Sequence, residues 1–211
     1  MNSNTILNCS CQIGPVTFHF AKADLFDLPV DAVVNSEQTN FVLSMNPATI
    51  SGQLFQRFGN ALQDELDQQT EGQTLPSGTV LRITGGKSYR HIYHAGFHHL
   101  LEWLNTEDRE TRETDSIQTI RHCIRQILGD LTAGAVRSVA FPLIGTGVYD
   151  IDSSLLAYEF ARELVDHAQH GGPRPRDIWL AIRSHDKALE LIEPLVQGLM
   201  DGLYGLSSIA Q

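Results

Sequence analysis

Short apolar runs alternate with longer stretches of helical periodicity along almost the whole chain, and that alternation leaves few fold classes open. Val16–Phe20, Val30–Asn35, Gly78–Thr84, Arg90–Ala95, Ser138–Ile144 and Ile178–Ile182 read as strands. Between them, Leu54, Phe55, Phe58, Leu62 and Leu66 recur at helical spacing and predict a helix that ends at Thr70-Glu71-Gly72. Ile117, Ile120, Ile124, Ile127, Leu128 and Leu131 line a second helix. Leu155, Leu156, Phe160 and Leu164 line a third, from about Asp152 to His167, and a last helix runs from Asp186 onward. The charged stretch from Phe97 to Ser116 reads as a surface loop leading into the second helix. Strands that alternate with amphipathic helices imply an α/β protein, a three-layer α/β/α sandwich around a mixed, mostly parallel sheet of about six strands. No repeat or Gly/Ser linker divides the 211 residues, so one domain is expected, with a core over about 16–195 and short extensions at either end.

Charge narrows the partners. With 15 Lys plus Arg against 25 Asp plus Glu, the formal net charge is -10, which argues against nucleic-acid backbones and anionic membranes. No apolar run approaches a membrane span, and the first residues lack the basic and apolar regions of a secretory signal. Three cysteines, Cys9, Cys11 and Cys123, make no disulfide framework and fit a reducing, cytoplasmic setting. His91, His94, His98 and His99 cluster, but His91 and His94 fall on opposite faces of a strand and no H-E-x-x-H helix exists. No metal and no cofactor is expected.

The segment richest in chemistry is Phe141-Pro142-Leu143-Ile144-Gly145-Thr146-Gly147-Val148-Tyr149. A buried strand ends there at a Gly-Thr-Gly turn, just before a helix. Ligand crevices of open α/β sheets lie beyond such strand ends, and glycines let backbone N–H groups approach an anion. The spacing is neither a dinucleotide G-x-G-x-x-G fingerprint nor a P-loop.

Together with Ala23-Asp24-Leu25, Asp31-Ala32-Val33-Val34-Asn35 and Ile92-Tyr93-His94-Ala95-Gly96, this segment resembles the macrodomain family of ADP-ribose-binding modules. The resemblance implies a ligand, ADP-ribose or ADP-ribosylated protein, and a role for each matching position. Asp24 would accept from the adenine amine, with the Leu25 backbone supporting the base. Gly145, Thr146, Gly147 and Val148 would wrap the diphosphate, Tyr149 would pack on the distal ribose, and Asn35 would face that ribose. Arg183 would stack on the adenine. Plainer roles stand beside these: Asp24 as a turn or cap residue, Asn35 as a strand-ending asparagine, Ser51 as an N-cap rather than a ligand contact.

The departures from the family pattern bear on catalysis. Hydrolytic members read N-A-A-N, a Gly-rich loop and then an acidic residue; this chain has Asn35-Ser36-Glu37-Gln38 and no glycine, Asp or Glu from Thr39 to Ser51. Water attack needs a positioned base unless the substrate supplies one. Catalytic residues are therefore unassigned, with Asn35 and Glu37 as candidates; Glu37 either replaces the base or is a solvated loop residue. The expected function is binding of ADP-ribose. The alternatives are an ADP-ribosyl or O-acetyl-ADP-ribose hydrolase by substrate-assisted water attack, or a sensor of another adenine nucleotide. The charged loop 102–115 offers a further surface for a protein partner.

Overall fold

The structure, a computed structural model, describes residues 8–98, 105, 108–133, 136–146, 149, 151–170 and 177–205. Seven strands form one sheet: β1 (Asn8–Ile13), β2 (Val16–Lys22), β3 (Ala32–Glu37), β4 (Val80–Thr84), β5 (His91–Gly96), β6 (Ser138–Pro142) and β7 (Asp177–Ile182). Their order is β1-β2-β7-β6-β3-β5-β4. The five central strands are parallel, and an antiparallel strand closes each edge, β1 on β2 and β4 on β5. The sheet thus has one strand more than the six expected. The extra one is β1, in what reads as an N-terminal extension; Cys9, Cys11 and Ile13 alternate there with polar residues, but only Ile13 is fully buried and the strand lies mostly exposed at the sheet edge, so the apolar signal is faint.

Side chains alternate between two cores. Val16, Phe18 and Phe20 of β2, Val34 of β3, Tyr93 of β5 and Phe141 of β6 face one helical layer. That layer holds α3 (Arg109–Ala133), α4 (Ser153–His170) and α5 (His185–Tyr204). Val33, Ile92 and Ala140 face the other, built from α1 (Ile50–Phe58), α2 (Asn60–Thr70) and the 3-10 turn Leu25–Asp27. The sandwich and its mostly parallel sheet are therefore as the alternation implies.

Several boundaries differ from the sequence reading. The single helix expected over Leu54–Leu66 is two, because Gly59 takes φ 64 and its N–H bonds Phe55 O, breaking the run. The charged loop turns helical earlier than expected: α3 begins at Arg109, with Asp108 accepting from the Thr111 N–H at 2.9 Å. Its first turns are mostly solvated, so no apolar stripe marks them, and residues 102–104, 106 and 107 lie outside the described residues. β6 stops at Pro142, not at Ile144, while the last helix, expected from Asp186 onward, is α5 and runs to Tyr204. Between α3 and α4, Arg121 and Arg125 reach the buried Glu163 carboxylate at 2.6 and 2.5 Å.

Asp31 fixes the starts of the central strands. Its carboxylate accepts from the N–H groups of Arg137 and Ser138 at 2.7 and 3.2 Å, and its own N–H donates to the Ser138 hydroxyl. Its carbonyl takes the Arg90 N–H at 2.7 Å. The bottoms of β3, β5 and β6 are thus stapled together, and what varies is their other end.

Candidate functional site

β3 and β6 are neighbours, yet they share only the pairs Ala32–Val139 and Val33–Ala140, whereas β3 and β5 pair over six residues. Past Val33 the two strands share no ladder pair, and Pro142 has no N–H to offer one. The connections also part here: β3 leads by α1 and α2 toward β4 and β5, while β6 leads by α4 to β7. A sheet whose chain reverses direction between adjacent parallel strands places a crevice at their carboxyl ends.

One wall is the end of β3. Asn35 and Glu37 project to the face covered by α1, and both are buried, at 1% and 7% exposure. The Asn35 amide donates to Glu37 at 2.7 Å and to His94 Nδ1, on the facing position of β5, at 3.3 Å. An Nδ1 that accepts places the imidazole proton on Nε2. That Nε2 and Asn35 Oδ1 are both buried with no hydrogen-bond partner among the described residues. Burial pushes the Glu37 carboxyl up to about 7, against the pull of hydrogen bonds from Ser51, Asn35 and the Gln38 backbone. Burial alone drives His94 down to about 3, so its ring is neutral. Glu37 is thus a buried strand residue and not the solvated loop residue of the plainer reading.

Ser51 connects this cluster to the loop above it. It does not cap α1; Thr49 does, accepting from the Gly52 N–H at 3.0 Å. Ser51 instead lies buried in the first turn, takes the Ser44 N–H at 2.8 Å and hydrogen-bonds Glu37. The helix starts two residues earlier than a Ser51 cap requires, because Thr49 has the extended backbone a cap needs.

The opposite wall is the turn after β6. Gly145 has φ +91, a conformation that demands glycine; a Cβ there would stand 2.9 Å from the Ile120 Cδ1 methyl, which would have to give way. The Thr146 hydroxyl donates to Leu143 O at 2.9 Å, which tightens the turn. Gly147 and Val148 lie outside the described residues. Tyr149 is buried, edge-on to Phe97 with ring centroids 4.4 Å apart, and its hydroxyl donates to His98 O at 2.5 Å. Burial raises that hydroxyl to about 12, and the charge of Glu37 adds to the effect, so the two walls feel each other.

At the third position, beyond β2, the Asp24 carboxylate accepts from the Phe26 N–H at 3.0 Å and pairs with Arg183 at 3.1 Å. Asp24 therefore is a cap residue, and its other carboxylate oxygen holds Arg183. Leu25 is buried among the residues of the α1 side. Asp24 and Arg183 meet at the ends of adjacent strands β2 and β7. A separate depression of about 680 Å³ runs along the flank of α1 between Phe26, Arg57, Phe58 and Tyr89 and includes none of the predicted site residues.

The Macro domain family model matches residues 34–157, from β3 to the first turn of α4. The chain belongs to the Macro domain family. Human protein mono-ADP-ribosyltransferase PARP14 is 29% identical over 145 residues, 68% of this chain; the chain spans only 7% of that protein's length. A macrodomain of Oceanobacillus iheyensis solved with ADP superposes with TM-score 0.72 at 16% identity, over 95% of this chain and 97% of the other. A Trypanosoma brucei macrodomain solved with ADP-ribose gives 0.58 at 18% identity, over 82% and 67%.

In this macrodomain the structure brings Asn35 and Glu37 together on one wall, and Asp24 and Arg183 at another position. Sequence reading did not join His94 to this cluster. The signal was there in part: Asn35 and Glu37 are two apart on one strand and so share a face, but the partner strand's register had to be known before His94 could be set against Asn35.

Proposed function

We propose that this macrodomain binds ADP-ribose, free or attached to protein, in the crevice between β3 and β6. The observation that carries the reading is the parting of those two strands at their carboxyl ends, beside a turn whose Gly145 takes a positive φ, in a chain of this family. Solved relatives of the same fold with ADP and ADP-ribose support it. In this reading the adenine lies toward Asp24, Leu25 and Arg183, the diphosphate against Gly145–Val148, and the distal ribose toward Tyr149 and the Asn35–Glu37 end of β3. The Asp24–Arg183 pair opens to let each meet the base, a small cost for a partly exposed pair, about 0–1 kcal/mol. Calorimetric titration with ADP-ribose tests it: heat is expected with the native chain and much less with Asp24→Ala of unchanged melting temperature. Absence of heat, with another adenine nucleotide raising the melting temperature, would move the function to that nucleotide.

A second reading is favoured by one observation, the buried Glu37 carboxyl with a pKa about 7. Such a group accepts a proton near neutrality, so it would take one from a water whose oxygen bonds the anomeric carbon while the bond to an ester oxygen breaks and the acceptor leaves as its carboxylate. Release of label from a mono-ADP-ribosylated protein, abolished by Glu37→Gln, would support hydrolysis. No release over hours with a binding-competent protein leaves binding alone. A cytoplasmic setting is part of the proposal and accords with three unpaired cysteines.

A further inference from the structure

We propose that the loop between β3 and α1 docks the polypeptide that carries the ADP-ribose, with Val42 and Met45 as its apolar contacts. The inference rests on the ADP-ribose reading and adds the source of specificity beyond the nucleotide.

Val42 is 58% exposed and Met45 76% exposed, three residues apart in one loop. The other large apolar side chains exposed among the described residues, Leu189, Val196, Met200, Leu203 and Tyr204, all belong to α5. Single exposed apolar residues are ordinary, but this pair sits on backbone that the fold holds fixed. Phe41 and Leu43, on either side of Val42, are buried. Phe41 holds φ 52, a left-handed conformation unusual for an aromatic residue, which only strong surroundings maintain. Gln63 of α2 clasps the loop from below: its amide donates to Phe41 O at 3.2 Å and its carbonyl takes the Leu43 N–H at 2.8 Å. Ser51 holds Ser44 as described, so the loop is tied to Glu37 and the floor of the crevice.

Charge gives the second observation. Residues 38–56 contain no Asp, Glu, Lys, Arg or His in a chain of net charge -10. Interface centres are depleted in charge, and a rigid apolar contact loses little entropy on docking. In the proposed pose the adenine lies at the far end, toward Asp24 and Arg183, so the part of ADP-ribose nearest this loop is a ribose, which offers hydroxyls and not apolar surface. The acceptor polypeptide has apolar side chains, and it leaves the crevice next to a loop that starts at the end of β3.

Fluorescence anisotropy with two mono-ADP-ribosylated peptides, one with Leu and Val beside the modified residue and one with Asp and Ser, tests this against free ADP-ribose. The apolar peptide is expected to bind about tenfold tighter than the acidic peptide or free ADP-ribose. The Val42→Ser/Met45→Ser double variant should lose that gain and keep its affinity for free ADP-ribose; both sites are exposed, so its melting temperature should hold. Equal affinities for both peptides, or a variant that weakens all three ligands alike, overturns the docking surface while the ADP-ribose reading stands. If neither the free nucleotide nor the peptides bind, both fall.

Discussion

Glu37 and His94 lie one hydrogen-bonding side chain apart, and burial shifts them in opposite senses, which makes them a pair in the pH dependence of stability. The folded state holds the Glu37 proton up to about pH 7, whereas the unfolded chain releases it near 4.5, so its contribution is full below 4.5 and falls as pH rises to 7. His94 runs the other way. It stays neutral to about 3 when folded but protonates near 6.5 when unfolded, so its contribution is full above 6.5 and is lost as pH falls. Each slope amounts to about 1.4 kcal/mol per pH unit, and between pH 4.5 and 6.5 they oppose one another. Glu37→Gln removes one and leaves the other. Urea unfolding of the variant is expected to show stability falling steeply from pH 6.5 to 4.5 while the native chain changes less. A difference between the two proteins that does not vary across that range would show that Glu37 is not a proton-holding group. Gly145→Ala belongs at this scale as well: with φ +91 and Ile120 2.9 Å from the added carbon, it should destabilise by more than 1 kcal/mol, about 1–3 by thermal unfolding.

At the scale of elements, helix contacts depend on residues with little helical preference of their own. Alanine normally stabilises a helix over glycine by about 1 kcal/mol. Gly198 on α5 inverts that sign, because a Cβ there would stand 2.3 Å from Tyr158 O and 2.9 Å from Ala161 Cβ on α4. Gly198→Ala is expected to lower the melting temperature, whereas Gly129→Ala on α3, where a Cβ meets nothing within 4 Å, should leave it level or raise it. Were both substitutions to raise it, the close approach of α4 and α5 would be wrong. The α3–α4 ion network explains another element that composition obscured. Glu163 is 2% exposed within a helix whose polar pattern alone would leave it in water, and the two arginines on α3 make its burial tolerable.

For the whole molecule, a net charge of -10 and a diphosphate ligand coexist because the proposed diphosphate contacts are backbone N–H groups, not lysines. Affinity for ADP-ribose is then expected to hold or rise modestly as salt goes from 20 to 200 mM, as screening relieves the general repulsion at a Debye length of roughly 10 Å. A basic phosphate site would lose affinity over the same range. Titrations at several salt concentrations separate the two, and a steep loss would place unsuspected cations in the crevice. No helix among the described residues is long and apolar enough to cross a membrane.

Local pattern determined the sandwich, because periods of two and 3.6 residues are written into neighbouring positions and survive any arrangement of the rest. It gave the central strands and the Gly145 turn, since an apolar run that ends in glycine has few alternatives. It missed β1, where Cys9, Cys11 and Ile13 alternate with polar residues only faintly because most of the strand is exposed, and whose pairing is set by β2. It missed the start of α3, where the opening turns are solvated. The state of Glu37 was beyond it altogether. Whether a carboxyl at the end of a strand is solvated or buried depends on what covers it. Here the cover comes from Ser51 on another element, and from an asparagine held by a histidine 59 residues away in the chain. Burial and partnership are properties of the assembled sheet and its loops, so the chemistry of the site was decided by tertiary structure.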